Sequence, residues 1–362
     1  MLSEIGSNFW LDPQKDYSET CKISLSNYHL YGSDIVFLST GRAAENLVLD
    51  EIEKRNDKIN KVAIVPPYTC HTVIDPFFLH GYEIYTYPIT DSLNTTAESL
   101  EEVIRQKHPS VVLLHRLFGF DTLQGCNEIV QRYSELGVVF IEDGTHDLFS
   151  NHKRLDAEYH VGSLRKWAGL PDGGYAICRT GSFQYKPAVY DKVLMSAKLD
   201  ACYAKYQYIF NGIGCKEEFL KMYSVAEQIL ENESGYYKIS PISESIFMEI
   251  NKEECEKQRR NNYSVMYEGL KKTDGVELIM GELDENTVPL YCPIYVKERA
   301  FLQRKLRDAH IYSPIIWPLP EKRAIINEAA IKLYRNLLCI PIDQRYESED
   351  MQRIIECINE GV

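Results

Sequence analysis

Long apolar runs, paired cysteines and basic clusters are all missing from this 362-residue chain. No stretch approaches the roughly 18 apolar residues of a membrane span. The opening MLSEIGSNFW has neither a basic start nor an apolar centre, so neither a leader nor a membrane role is expected. Ten cysteines are scattered singly, with no C-x-x-C pair for a zinc knuckle or redox couple. Reduced thiols and a cytoplasmic location are expected. The 40 Lys and Arg against 53 Asp and Glu give a formal charge of −13. Without a basic block, that charge repels nucleic acid and anionic membrane surfaces. Also absent are G-x-G-x-x-G after a strand, a Walker loop, H-E-x-x-H, G-x-S-x-G, internal repeats and low-complexity linkers. A small-molecule substrate is the expected partner.

The length predicts two domains. From about Ser33 to Arg179 the runs DIVFL, KVAIV, YEIYTY, SVVLLH and VVFIE read as strands, separated by helical segments such as RAAENLVLDEIEKR and AESLEEVIRQK. Apolar runs joined by segments of helix length predict an α/β domain with a mostly parallel sheet covered on both faces. Long Tyr- and Lys-rich helical sequence follows from Tyr185 to Tyr237, with a break at ENESG. Strand-like VELIM, PLYCPIYV and YSPIIW then alternate with helical KEECEKQRRNNYSVMYEGL, and NLLCIPI and ESEDMQRIIECI close a smaller α+β unit. The boundaries expected are 1–235 for the large domain and 236–362 for the small one.

Ser163 and Lys166 form an S-x-x-K. Penicillin-binding enzymes use that spacing too, but their S-D-N and K-T-G partners are missing here. Another chemistry with this pattern is a lysine that forms a Schiff base with pyridoxal 5′-phosphate (PLP), with a serine hydroxyl on the phosphate. Such a cofactor needs a carboxylate to keep its pyridine nitrogen protonated, and VVFIEDGTHDLF puts Asp143 at the end of a strand, on the ligand-binding edge of a parallel sheet. Its phosphate needs backbone N–H groups and a helix dipole, and DIVFLSTGRAAENL places Ser39, Thr40, Gly41 and Arg42 between a strand and a helix. Read one at a time, these residues also suit blander roles. Asp143 could be a helix cap, Lys166 a solvated charge beside Trp167, and Tyr68 and Cys70 plain core.

Taken in order along the chain, LSTGRAAENLVL, VPPYTCHTVIDPFFLHGYEIYTYPI, LHRLFGF, FIEDGTHDLFS, GSLRKWAGLPDGGYAICR and LLCIPIDQRY resemble the DegT-type sugar aminotransferases, PLP enzymes of fold type I. The resemblance implies Lys166 as the Schiff-base lysine, Asp143 on the ring nitrogen and His146 near the ring hydroxyl. It further implies Ser163 on the phosphate, the turn Gly41, Arg42 and Ala43 holding it through amides, and Gly173 and Gly174 packed close to the site. The ring-stacking position falls on Cys70 where the family has an aromatic, so either the thiol packs on the ring or His71 takes over. The family's N-Y-R and Q-A-A-x-G after the lysine are missing, which implies a different substrate.

The function implied is transfer of an amino group from a glutamate-type donor to a keto-sugar or nucleotide-linked keto-sugar, by a homodimer. A lyase or decarboxylase on the same cofactor is the alternative, since the bond that breaks depends on substrate orientation. A non-catalytic regulator is disfavoured because Lys166 is present. Arg116 and Arg345 each stand between a substrate carboxylate and a structural acid, and the Tyr-rich stretch at 203–208 between interface and core. Arg259 and Arg260, in a highly charged helical stretch, are expected on a solvated face.

Overall fold

The computed structural model describes residues 4–17, 25–55, 59–232, 235–319 and 328–361, and of residues 328 and 329 the backbone alone. Cys21 and part of the ENESG break lie outside these. After a short β1 (Ile5–Gly6) come β2 (Asp34–Leu38), α1 (Gly41–Arg55), β3 (Val62–Val65), α2 (His71–Leu79), β4 (Glu83–Thr86), α3 (Ala97–Lys107), β5 (Val111–His115), α4 (Asn127–Glu135), β6 (Val139–Asp143), β7 (Tyr159–Ser163) and β8 (Gly174–Cys178). Strands β2 to β8 form one sheet in the order β2-β8-β7-β6-β5-β3-β4. Neighbours from β7 to β4 are parallel, whereas β8 runs antiparallel to both β7 and β2.

Strand periodicity assigns the two faces. On β5, Val111 and Leu113 cluster with Leu47, Val48 and Phe77 of α1 and α2. Val112 and Leu114 cluster instead with Leu100 and Ile104 of α3 and Ile129 and Val130 of α4. Each such fully buried side chain contributes roughly 1.5–3 kcal/mol. Helix α3 starts where Thr96 Oγ1 accepts from Ser99 N–H at 3.2 Å and stops at His108, which adopts the left-handed conformation.

Helices α5 (Lys192–Tyr206) and α6 (Lys216–Glu231) form a hairpin joined through a π turn over Gln207–Asn211. The chain continues through α7 (Pro241–Met248), α8 (Lys252–Leu270), β9 (Val276–Leu278), β10 (Cys292–Val296), α9 (Arg299–Asp308), β11 (Ile311–Tyr312), α10 (Glu328–Asn336), β12 (Leu337–Ile340) and α11 (Ser348–Asn359). A second, antiparallel sheet has the order β12-β10-β9, and β1 pairs in parallel with β11. YSPIIW is strand only at its start, because Pro314 lacks the N–H a ladder needs.

Candidate active site

One edge of the large sheet collects the polar residues. It is formed by the C-terminal ends of β2, β5, β6 and β7 and, because β8 is reversed, by the N-terminal end of β8. The register aligns His115 with Asp143, Ser163 with Gly174, and Gly174 with Leu38. Open α/β sheets bind ligands at this edge.

Asp143, the last residue of β6, is buried. Its Oδ1 accepts the Thr145 N–H at 2.8 Å, and Oδ2 lies 3.9 Å from His115 Nδ1. Both ring nitrogens of His115 lack a hydrogen-bond partner among the described residues, and burial lowers its pKa, opposed by Asp143 and Asp147. His146 is buried as well. Its Nδ1 accepts the Phe118 N–H at 3.4 Å, and burial, then His115 and Lys166, hold its pKa well below the usual value. The ring is therefore neutral, with its proton on Nε2. It stacks on Trp317 at 5.2 Å with 5° between planes.

Lys166 closes the single turn Leu164–Lys166 that follows β7. Water reaches its side chain through a cavity, yet protein surrounds it closely enough that burial pulls the amine below the ordinary lysine range. Arg165 adds to that lowering, while Cys70, Glu227 and Asp143 oppose it. Thr145 ties the two loops together. Its N–H holds Asp143, its Oγ1 accepts from Ser163 N–H at 3.0 Å, and its carbonyl accepts from Trp167 Nε1 at 2.8 Å.

Thr40 Oγ1 caps α1 by accepting the Ala43 N–H at 3.0 Å, which leaves the Gly41 and Arg42 amides of the first turn without an acceptor among the described residues. The Arg42 side chain turns away to donate to the Leu230 carbonyl at the end of α6. A Cβ on Gly174 would lie 2.3 Å from the Thr40 carbonyl carbon and 2.6 Å from Gly41 N, so only glycine lets β8 approach this turn. A Cβ on Gly41 would lie 3.4 Å from that of Ser163, so the turn and Ser163 are neighbours. Ser39 Oγ is buried without a partner among the described residues.

Cys70 is the N-cap of α2. Burial raises its thiol pKa, but contacts with His71 (Nδ1 at 3.9 Å) and Thr72 (Oγ1 at 3.1 Å) and the charge of Lys166 outweigh it, and the net shift is downward. His71 itself is exposed, and Tyr68 is core, edge-on to Trp317 and Tyr334.

Of the residues expected from sequence, Ser163 and Lys166 line the cavity of about 650 Å³, whereas Asp143, His146, Cys70 and the Gly41–Ala43 turn lie off its wall, at the sheet edge. Arg116 is structural: buried, it faces Asp121 and Glu142 at 3.2 Å and Asp147 at 3.4 Å. Arg345 lines the cavity but holds Asp343 in a two-point pair at 2.7 and 2.8 Å, and donates to Ser7 O and Asn8 O. Arg259 corrects the expectation of a solvated face. It is buried, donates to Gln344 Oε1 at 2.8 Å and Leu290 O at 3.1 Å, and lies 4.8 Å from the Trp167 ring centroid. A charged run on a helix does not disclose which one of its charges turns inward.

Three further residues escaped sequence reading. Thr145 and Trp317 were hidden because hydrogen-bond hubs and loop-borne rings have no spacing signature. Glu45 sat within a recognised helical segment. It is buried with Oε2 unpartnered, and burial, then Asp143 and Cys70, raise its carboxyl well above the usual range.

No family model and no curated protein sequence matches the chain. Solved structures do match. Helicobacter pylori PseC, an aminotransferase involved in the biosynthesis of pseudoaminic acid, is 12% identical, covers 100% of this chain and 98% of its own, and superposes with a TM-score of 0.67. The sugar aminotransferase CalS13 from Micromonospora echinospora is 15% identical over 91% of this chain and 87% of its own, with a TM-score of 0.64. Spr1654 from Streptococcus pneumoniae in its PLP form is 17% identical over 93% and 88%, with a TM-score of 0.66. The chain has the fold of these aminotransferases. This is the fold-type I, α/β architecture expected from sequence.

Proposed function

We propose that the chain is a PLP-dependent aminotransferase that moves an amino group from a glutamate-type donor to a keto-sugar, with a nucleotide-linked sugar as the acceptor. The observation that carries this reading is the meeting, at one sheet edge of an aminotransferase fold, of a lysine whose amine is depressed by burial and a strand-end carboxylate. The residues present fit the cofactor. Gly174 admits the close approach of the Thr40–Gly41 turn, two first-turn amides and a buried Ser39 hydroxyl await an acceptor or donor, and His115 offers two unpartnered nitrogens behind Asp143.

When bound, PLP supplies an aldehyde that captures amines and a ring that withdraws electrons from the carbon next to them. Lys166 would hold it, Asp143 would keep a proton on its ring nitrogen, and His146 Nε2–H would lie near its ring hydroxyl. Gly41, Arg42 and Ala43, with Ser163, would hold its phosphate, and Cys70 would lie against its ring. Because Ala43 N–H is already capped by Thr40, the Gly41 and Arg42 amides carry most of that turn's share. Lys166 Nζ, whose charged form burial disfavours, would take the α-proton of the donor and deliver it to the carbon that receives the amine. The neutral His146 adds no positive charge to compete for the ring nitrogen's carboxylate.

The chain is further proposed to act as a homodimer in the cytoplasm, with domains 1–235 and 236–362. The free thiols of the nine described cysteines suit a reducing compartment. Exposed Val193, Phe210, Ile213 and Leu220 on the α5–α6 hairpin suit a covered face. Among the described residues no helix is long and apolar enough to cross a membrane.

Lys166→Ala is expected to abolish amino transfer while leaving the circular dichroism spectrum unchanged, and borohydride reduction of the wild type with PLP should label Lys166 alone. Labelling of another lysine would overturn the assignment.

A further inference from the structure

The cavity is cationic on an acidic molecule. Among the described residues that line it are six Lys and Arg against two acids, Glu227 and Asp343. Such an inversion of sign focuses field into a cleft and draws anions to it. Two of these cations are nonetheless committed. Arg345 has its two-point pair with Asp343 inside a nearly closed environment, and Arg259 is consumed by Gln344 and the Leu290 carbonyl.

Arg165 and Lys198 differ. Both address a single carboxylate oxygen, Glu227 Oε1, with Arg165 Nη2 at 3.5 Å and Lys198 Nζ in direct ion-pair contact. Two cations thus share one charge beside the turn that carries Lys166. Their mobilities are unequal. The Lys198 side chain is 5% exposed, whereas that of Glu227 is 49% exposed and can rotate off α6 into solvent. Burial also makes an unpaired, charged Lys198 costly, which favours an oxyanion in the place Glu227 leaves.

We infer that Arg165 and Lys198 form the seat for an oxyanion of the substrate, a carboxylate or a phosphate, and that Glu227 occupies this seat until the substrate displaces it. Arg345, the conspicuous cation on the far wall, is not that seat because Asp343 already fills it. The inference rests on the proposed aminotransferase reading only for whose oxyanion it is, the donor's carboxylate or the acceptor's phosphate.

Calorimetric titration of the holoenzyme with succinate, which has carboxylates but no amine, and separately with inorganic phosphate tests this. At least one probe should bind. Lys198→Gln should weaken that probe about tenfold, and Glu227→Gln should tighten it several-fold by removing the competing charge. Succinate alone binding assigns the seat to the donor, and phosphate alone assigns it to the acceptor. Absence of binding by both probes, or weaker binding in Glu227→Gln, would overturn the inference. The Glu227 variant keeps the test decisive should Lys198→Gln fail to fold. Borohydride labelling at Lys166 is read separately, so loss of the seat and loss of the cofactor assignment are distinguishable.

Discussion

Glu45 is the residue whose environment contradicts its chemistry most. A carboxyl with an unpartnered oxygen sits among apolar residues of α1, close enough to Asp143 and Cys70 that both disfavour its ionisation. Its folded-state pKa stands well above the value near 4.5 that it has in the unfolded chain. The unfolded state therefore releases this proton first. As pH rises above about 4.5, stability falls by roughly 1.4 kcal/mol per unit until the folded-state pKa is reached. Glu45→Leu should remove that slope and stabilise the protein by about 1–3 kcal/mol at pH 8, with little gain at pH 4. Urea unfolding at the two pH values checks it, and an equal change at both would refute the buried-acid account. Sequence put Asp143 at a strand end and singled out Ser163 and Lys166 because a strand-end carboxylate and the S-x-x-K spacing are local patterns, and Asp143 does close β6. Glu45 was not legible, since a 3.6-residue period marks a face without saying how deep each position lies.

Among the elements of the large sheet, sequence left β7 and β8 unnamed, although GSLRKWAGLPDGGYAICR was recognised as a motif. Both are five residues long and begin or end near glycine, and β7 lacks a continuous apolar run. Their strand character comes from ladder partners on both sides, a non-local cause. Strand β8 is also where geometry is tightest. Gly174→Ala should push its methyl into the Thr40 carbonyl and widen the turn before α1, costing about 1–3 kcal/mol. PLP affinity should fall in the same variant, since the Gly41 and Arg42 amides move with the turn. Thermal unfolding and a PLP titration by absorbance measure the two effects, and unchanged values in both would show that the contact is relieved elsewhere. In contrast, α3 was predicted over Ala97–Lys107 and forms over those residues, because its cap, charges and periodicity all lie within one short window.

At the scale of the whole molecule, the alternation of apolar runs and helices was enough to predict the parallel sheet, whereas the arrangement of cavity walls was not. Those walls come from residues as far apart as Ser7 and Arg345, a contact no local pattern encodes. The α5–α6 hairpin brings Lys198 and Glu227 to the cavity and leaves Phe210 and Ile213 exposed. If the hairpin's outer side is a subunit interface, sedimentation should give a dimer for the wild type and a monomer for Phe210→Asp. A wild-type monomer at micromolar concentration would dismiss it.

Gly6 is held by the Tyr346 hydroxyl at 2.8 Å, and β1 pairs with β11. A ribosome emits the first of these residues some 340 positions before its partner. A nascent chain can thus assemble the large sheet while still tethered, but the segment carrying Gly6 must stay unattached until residues 311–346 have emerged. Completion of the pocket consequently follows that of the sheet, and products terminated between the two inherit a sheet without a finished binding chamber.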